Sequence, residues 1–102
     1  MKACKISICC TNIEGFEKYK HDDDFLTYAT QFDIFAMCET WGNNVSDFDD
    51  VFDDYEHFSY VRSKHENAWK NSGGVTVYTK KQLVTDNFIT RIFENILYMM
   101  YK

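Results

Sequence analysis

An α/β domain with two neighbouring strands in one sheet is the fold class the sequence predicts, on three observations. Two short apolar stretches, KISICCTN at 5–12 and FDIFAMC at 32–38, have the alternation of strands. Between them Phe25, Leu26, Ala29 and Phe32 recur at the spacing of a helix stripe. A strand, helix, strand order places both strands in one sheet with the helix packed across it. The chain has 102 residues, 45% hydrophobic and 26% charged, the balance of one globular domain over 1–102 rather than of a disordered tract.

The first strand carries Ile6, Ile8 and Cys10 on one face and Cys9 on the other, as a strand covered on both sides does, so an inner position is expected. Asn12 continues the period of two and leaves on the side of Ile6, Ile8 and Cys10, and Gly15 then breaks the pattern. Asp22, Asp23 and Asp24 stand where a helix start needs a cap and negative charge, which is a sufficient local role for the triplet without a metal. In the second strand Asp33, Phe35, Met37 and Glu39 share one face, and Ile34, Ala36 and Cys38 the other. If the two strands run parallel, Asn12 and Glu39 emerge at the same carboxyl edge, where open α/β sheets hold ligands.

The acidic stretch VSDFDDVFDDYE at 45–56 fails as a calcium loop, because counting from Asp47 puts Phe52 where glycine is required and Phe58 where glutamate is required. Val45, Phe48, Phe52 and Tyr55 instead trace an amphipathic helix, with Ser46 as its cap and Asp49 three residues on. HFSYVRS alternates and reads as a strand, NSGG at 71–74 is a turn, and VTVYTKK is a further strand. In the closing segment, Phe88, Ile92, Phe93, Ile96 and Met100 suit a helix, while NILYMM equally suits a buried strand.

The net charge of −5 gives the whole molecule no attraction to nucleic acid or to an anionic membrane. The distribution is uneven, with 4 basic and 13 acidic side chains in 1–61 but 5 basic and 1 acidic in 62–81, namely Arg62, Lys64, Lys70, Lys80, Lys81 and Glu66. Cys4, Cys9, Cys10 and Cys38 form no C-x-x-C pair and stand at no zinc spacing from His21, His57 or His65. Cys9 and Cys10, on opposite faces of a strand, suit small buried apolar positions in a reducing compartment. The start MKACKISICC is too short in its apolar run for a signal peptide, and no stretch approaches a membrane span, so an intracellular location, nuclear or cytoplasmic, is expected.

The chemistry converges on Asn12 and Glu39. Magnesium takes oxygen ligands, often one or two protein carboxylates with the rest from water and phosphate. A glutamate at one strand's exit beside an amide on the neighbouring strand can supply such a site. Taken alone the signal is weak, because glutamates at strand ends are mostly solvated or capping.

The ordered set N-I-E-G at 12–15, E-T-W at 39–41 and S-G-G-V at 72–75, each tied to a strand, resembles the amino-terminal half of the endonuclease/exonuclease/phosphatase superfamily. Within it the likeness is greatest to the endonuclease domains of non-LTR retrotransposon polyproteins, and it covers roughly residues 5–80. The resemblance implies a four-layer α/β sandwich, two packed mixed sheets flanked by helices, and hydrolysis of phosphodiesters with magnesium, or manganese in its place, usually in DNA, with RNA or a small phosphoester left open. It implies that Glu39 binds the catalytic metal and that Asn12 belongs to the shell around metal and scissile phosphate. Gly73 and Gly74 would open a core strand, with Ser72 beside the substrate groove. No role transfers to Glu14.

The sequence also departs from that family, whose members add a later Asp-x-Asn, a further aspartate and a terminal Asp-His couple. After Gly74 this chain has Asp86 as its one aspartate and no histidine. The expectation is therefore the amino-terminal half of the domain, lacking its carboxyl-terminal half, inactive and weak in metal binding as it stands, with a wide apolar sheet face left open. His21, His57 and His65 fall in segments that read as loops or flanks, away from Glu39. The competing class is a small non-catalytic α/β interaction domain, in which Asn12 and Glu39 are edge polar residues and the basic stretch a solvated rim.

Overall fold

The computed structural model describes residues 6–61 and 73–84. Within them lie β1 (Ile8–Asn12), α1 (Asp23–Ala29), β2 (Ile34–Cys38), a 3₁₀ turn (Val45–Phe48), β3 (Tyr55–Tyr60), β4 (Val75–Lys80) and α2 (Lys81–Val84). The α/β class holds: the four strands form one mixed sheet in the order β1-β2-β4-β3. β1 and β2 are parallel, with Ile8 opposite Ile34 and Asn12 opposite Cys38, and α1 lies in the connection between them. β4 runs antiparallel to β2 and to β3. The exits of β1, β2 and β3 and the start of β4 therefore share one edge.

The start of α1 follows from its aspartates. Asp22 has extended backbone, and its carboxylate accepts from the backbone N–H of Asp24 at 3.0 Å and of Phe25 at 3.3 Å, while Asp23 and Asp24 place negative charge in the first turn. Ala29 is buried, and Phe25 meets Phe35 edge to face with ring centroids 5.7 Å apart, so the helix stripe packs on the β2 face that carries Phe35 and Met37. Phe16, Phe48, Phe52 and Tyr78 complete this core.

Three expectations are corrected. Among the described residues β1 is an edge strand rather than an inner one, and Ile8 and Cys10 are exposed. Apolar residues on both faces report side chains and say nothing about which strand edge is paired. Cys9 is half-buried, so neither neighbouring cysteine is the fully buried residue expected. The helix expected over 45–56 shrinks to one 3₁₀ turn, whose Asp47 carboxylate accepts from the backbone N–H of Asn43 at 2.9 Å and of Asn44 at 3.0 Å. Asp49 is extended and Asp50 has φ +59°, which turns the chain out of helix. A continuous helix would set Asp49 against Asp53 and Asp50 against Asp54 at i,i+4, a repulsive spacing. Phe48, Phe52 and Tyr55 still reach one core, by a wound loop.

The other sheet face is also covered at its centre. Ile34, Ala36, Val75 and Val77 are at most 2% exposed, with Ile6, Cys38 and Leu83 packed against them. The wide open apolar face is thus absent from these central positions, and among the described residues the exposed large side chains on that face are Ile8 and Tyr60 on the outer strands. No helix among the described residues is long and apolar enough to cross a membrane. The ambiguous closing segment lies outside the described residues.

Candidate metal and phosphate site at the strand exits

The parallel register brings Asn12 level with Cys38, so Asn12 and Glu39 leave adjacent strands one residue apart. Beyond the regular ladder the backbones stay joined. Ile13 N–H donates to Cys38 O at 3.2 Å, Gly15 N–H to Glu39 O at 2.8 Å and Phe16 N–H to Thr40 O at 3.0 Å. From the other side, Trp41 N–H donates to Gly73 O at 3.0 Å and Thr40 N–H to Gly74 O at 3.4 Å. The segment 39–41 is therefore held between the turn after β1 and the start of β4.

That edge concentrates unusual backbone. Glu14, Gly15, Glu39, Trp41, Gly73 and Gly74 all have positive φ, from 48° to 101°, and among the described residues the one other such position is Asp50. For a residue with a side chain the left-handed region costs about 1–2 kcal/mol, and such strain persists where the surrounding structure over-determines the backbone, as it often does around binding sites. Gly15 and Gly74 are required for space as well. A Cβ on Gly15 would lie 2.8 Å from the Trp41 ring, and one on Gly74 would lie 2.5 Å from Thr40 Oγ1.

Glu39 is half-buried, and one of its oxygens is doubly engaged. Oε2 accepts from Trp41 Nε1–H at 2.8 Å and from Gly73 N–H at 3.3 Å. The second oxygen, Oε1, has no hydrogen bond among the described residues, and it is the oxygen a cation would take. Asn12 Oδ1 accepts from Glu14 N–H at 3.3 Å, closing the turn that leaves β1. This acceptor role fixes the orientation of the amide and leaves its –NH₂, a donor suited to a phosphate oxygen. Beside them Cys38 has its thiol pushed up by burial and then by the charge of Glu39, which favours the protonated form.

A groove of about 310 Å³ runs beside Trp41, lined by residues 14–18 with Thr40 and Trp41. A larger one, about 480 Å³, lies at the opposite sheet edge between α1 and Lys80. Two of its polar groups are already engaged: Tyr55 Oη donates to Phe32 O, with Thr30 O 3.3 Å away, and Lys80 Nζ lies 3.1 Å from Asp33 Oδ1. The smaller groove adjoins the strained strand exits and is the better candidate for a ligand.

Glu39 and Asn12 are thus placed at neighbouring exits, while Ser72, His65, Arg62, Lys64 and Lys70 lie outside the described residues. Lys80, of the basic stretch, is paired with Asp33. His57, expected at the flank of a strand, lies within β3, opposite Tyr78, three residues back from the strand's exit. Its ring is engaged by Asp49 and Ser59. Sequence reasoning missed Trp41 as the partner of Glu39. The signal was an indole donor two residues after a carboxylate, but alternation places i and i+2 together only while the strand continues, and positive φ at both residues lies outside that rule. Among the described residues no group of three or more His, Cys, Asp and Glu side chains is positioned to hold a metal. Comparison with protein-family models, with curated proteins and with solved structures returned no match.

Proposed function

We propose that this chain supplies the amino-terminal half of a magnesium-dependent phosphodiesterase site of the retrotransposon-endonuclease type, acting on DNA. The observation that carries the reading is the Glu39 carboxylate, held by two donors on one oxygen at the exit of a central strand, one residue from the neighbouring exit of Asn12. A single carboxylate suits magnesium, a hard ion that keeps several waters and shares its shell with substrate phosphate. Glu39 Oε1 would hold the ion, manganese serving in its place, and the Asn12 amide would donate to a phosphate oxygen. When bound, the metal supplies charge neutralisation at the phosphate and the leaving oxygen. Glu39 and Asn12 only bind and orient; the remaining carboxylates and the couple that activates water come from a carboxyl-terminal half. In that complete domain the present sheet is one of the two sheets of a four-layer sandwich.

The test is nicking of supercoiled plasmid with magnesium and with manganese. It compares the chain alone, the chain joined to the carboxyl-terminal half of a retrotransposon endonuclease, and the joined protein with Glu39→Gln. The expected result is nicking by the joined protein alone, lost in Glu39→Gln. A folded joined protein that never nicks, or one indifferent to Glu39→Gln, would favour a non-catalytic interaction domain.

A further inference from the structure

We infer that Trp41 is a positioning residue for the metal ligand Glu39: its indole N–H, with the Gly73 backbone N–H, occupies Oε2 and leaves Oε1 as the coordinating oxygen. The inference rests on the magnesium reading above and deepens it. A carboxylate with both oxygens solvated rotates freely and presents either oxygen or both. Here one oxygen carries two donors, at 2.8 Å and 3.3 Å, so the carboxylate plane and the identity of the remaining oxygen are set before any ion arrives. Partners that orient a metal-bound carboxylate in this way typically contribute 10- to 100-fold in affinity.

The surroundings fit that role better than a packing role alone. Trp41 is held in the left-handed region at φ +57°, which costs a residue with a side chain about 1–2 kcal/mol. Its backbone N–H is anchored to Gly73 O at 3.0 Å, and its ring lies against Gly15, where a Cβ would collide with it. Backbone and ring are thus fixed from two sides, and the N–H points at the carboxylate two residues earlier. The intervening Thr40 is buried, which removes the freedom a short loop would have. Gly73 supplies the second donor from the turn before β4, so the carboxylate ties the exit of β2 to the start of β4.

The experiment uses the full chain with Mn²⁺ as the probe. In the metal-free protein, the Trp41 indole Nε1–H resonance is compared between the native chain and Glu39→Ala. It should shift when its acceptor is removed, and an unmoved resonance overturns the contact. Mn²⁺ affinity is then read from water-proton relaxation for the native chain and for a chain carrying benzothienylalanine at 41, which keeps the ring shape and lacks the N–H. The dissociation constant should rise about ten-fold or more, with the melting temperature little changed. A change below about two-fold in the folded isostere overturns positioning by Trp41 and leaves the metal reading standing. Native protein that binds Mn²⁺ no better than Glu39→Ala overturns the metal reading itself, and this inference with it.

Discussion

The hydroxyl of Thr40 is buried without a hydrogen-bond partner among the described residues, and Gly74 stands so close that an added Cβ would lie 2.5 Å from it. The two residues belong to the backbone bridge that holds Glu39 in place, Thr40 N–H donating to Gly74 O. Gly74→Ala should be strongly destabilising, by about 2–4 kcal/mol, because it combines φ +92° with a steric conflict. Thr40→Val should be neutral or stabilising by up to about 1 kcal/mol, since it removes an unsatisfied buried hydroxyl at constant shape. Urea unfolding of both variants checks the pair, and a costly Thr40→Val would mean that the hydroxyl has a partner in solution.

Asp50 offers a test of the corrected 45–56 segment. With φ +59° it sits where glycine is comfortable and a side chain is strained. Asp50→Gly should therefore leave stability unchanged or raise it by up to about 1 kcal/mol. In a helix interior the same change would cost about 0.5–1 kcal/mol, so the sign of the change in urea midpoint separates the two backbones.

How much was legible follows from the same residues. The placing of 5–12 beside 33–39 in one sheet, an aspartate cap within 22–24 and strands in HFSYVRS and VTVYTKK are legible because alternation, helix spacing and capping are local signals. The parallel sense comes from the structure, and β3 begins at Tyr55, inside the stretch with helix spacing. The 45–56 helix misled because Phe48, Phe52 and Tyr55 keep helix spacing while a loop delivers them to the same core. For the site, the carboxylate and the amide were visible as strand-exit residues. The geometry around them was not, because Trp41, Gly73 and Glu14 act through left-handed backbone and contacts across strands, which no period encodes.

Alternation shows Asp33 only as a member of a strand face, yet it staples the sheet. Its Oδ2 accepts from Ser7 N–H at 3.0 Å, and its Oδ1 lies 3.1 Å from Lys80 Nζ. The Ser7 backbone N–H, first, and then Lys80 hold the Asp33 carboxyl below the ordinary carboxylate range. A folded-state value below the unfolded one, about 3.9, adds stability that is present above that pH and is lost as pH falls through the folded value. Lys80 is shifted up, first by its hydrogen bond with Asp33, so its contribution is present below the unfolded lysine value, about 10.4, and is lost as pH rises through the folded one. Melting temperature against pH should thus fall below about pH 4, and Asp33→Asn should flatten that acid limb. An unchanged acid limb in Asp33→Asn would assign the loss to other carboxylates.

The last prediction concerns the polar chain that crosses β3 and β4. His57 Nε2 meets Asp49 Oδ1, His57 Nδ1 lies 2.8 Å from Ser59 Oγ, and Ser59 Oγ lies 2.9 Å from Thr76 Oγ1. A carboxylate only accepts, so in the neutral ring Nε2 carries the proton and Nδ1 accepts from Ser59, whose oxygen then accepts from Thr76. Thr76 is fully buried and Ser59 half-buried, so breaking the chain strands groups that water does not reach easily. Ser59→Ala should cost about 1–3 kcal/mol, since it leaves both Nδ1 and the Thr76 hydroxyl without this partner. Thr76→Val removes one stranded group, so the double variant should be less unstable than the sum of the two singles by at least about 0.5 kcal/mol. A double-mutant cycle measured by urea unfolding gives that difference. Strict additivity would show that Ser59 and Thr76 do not act as one chain.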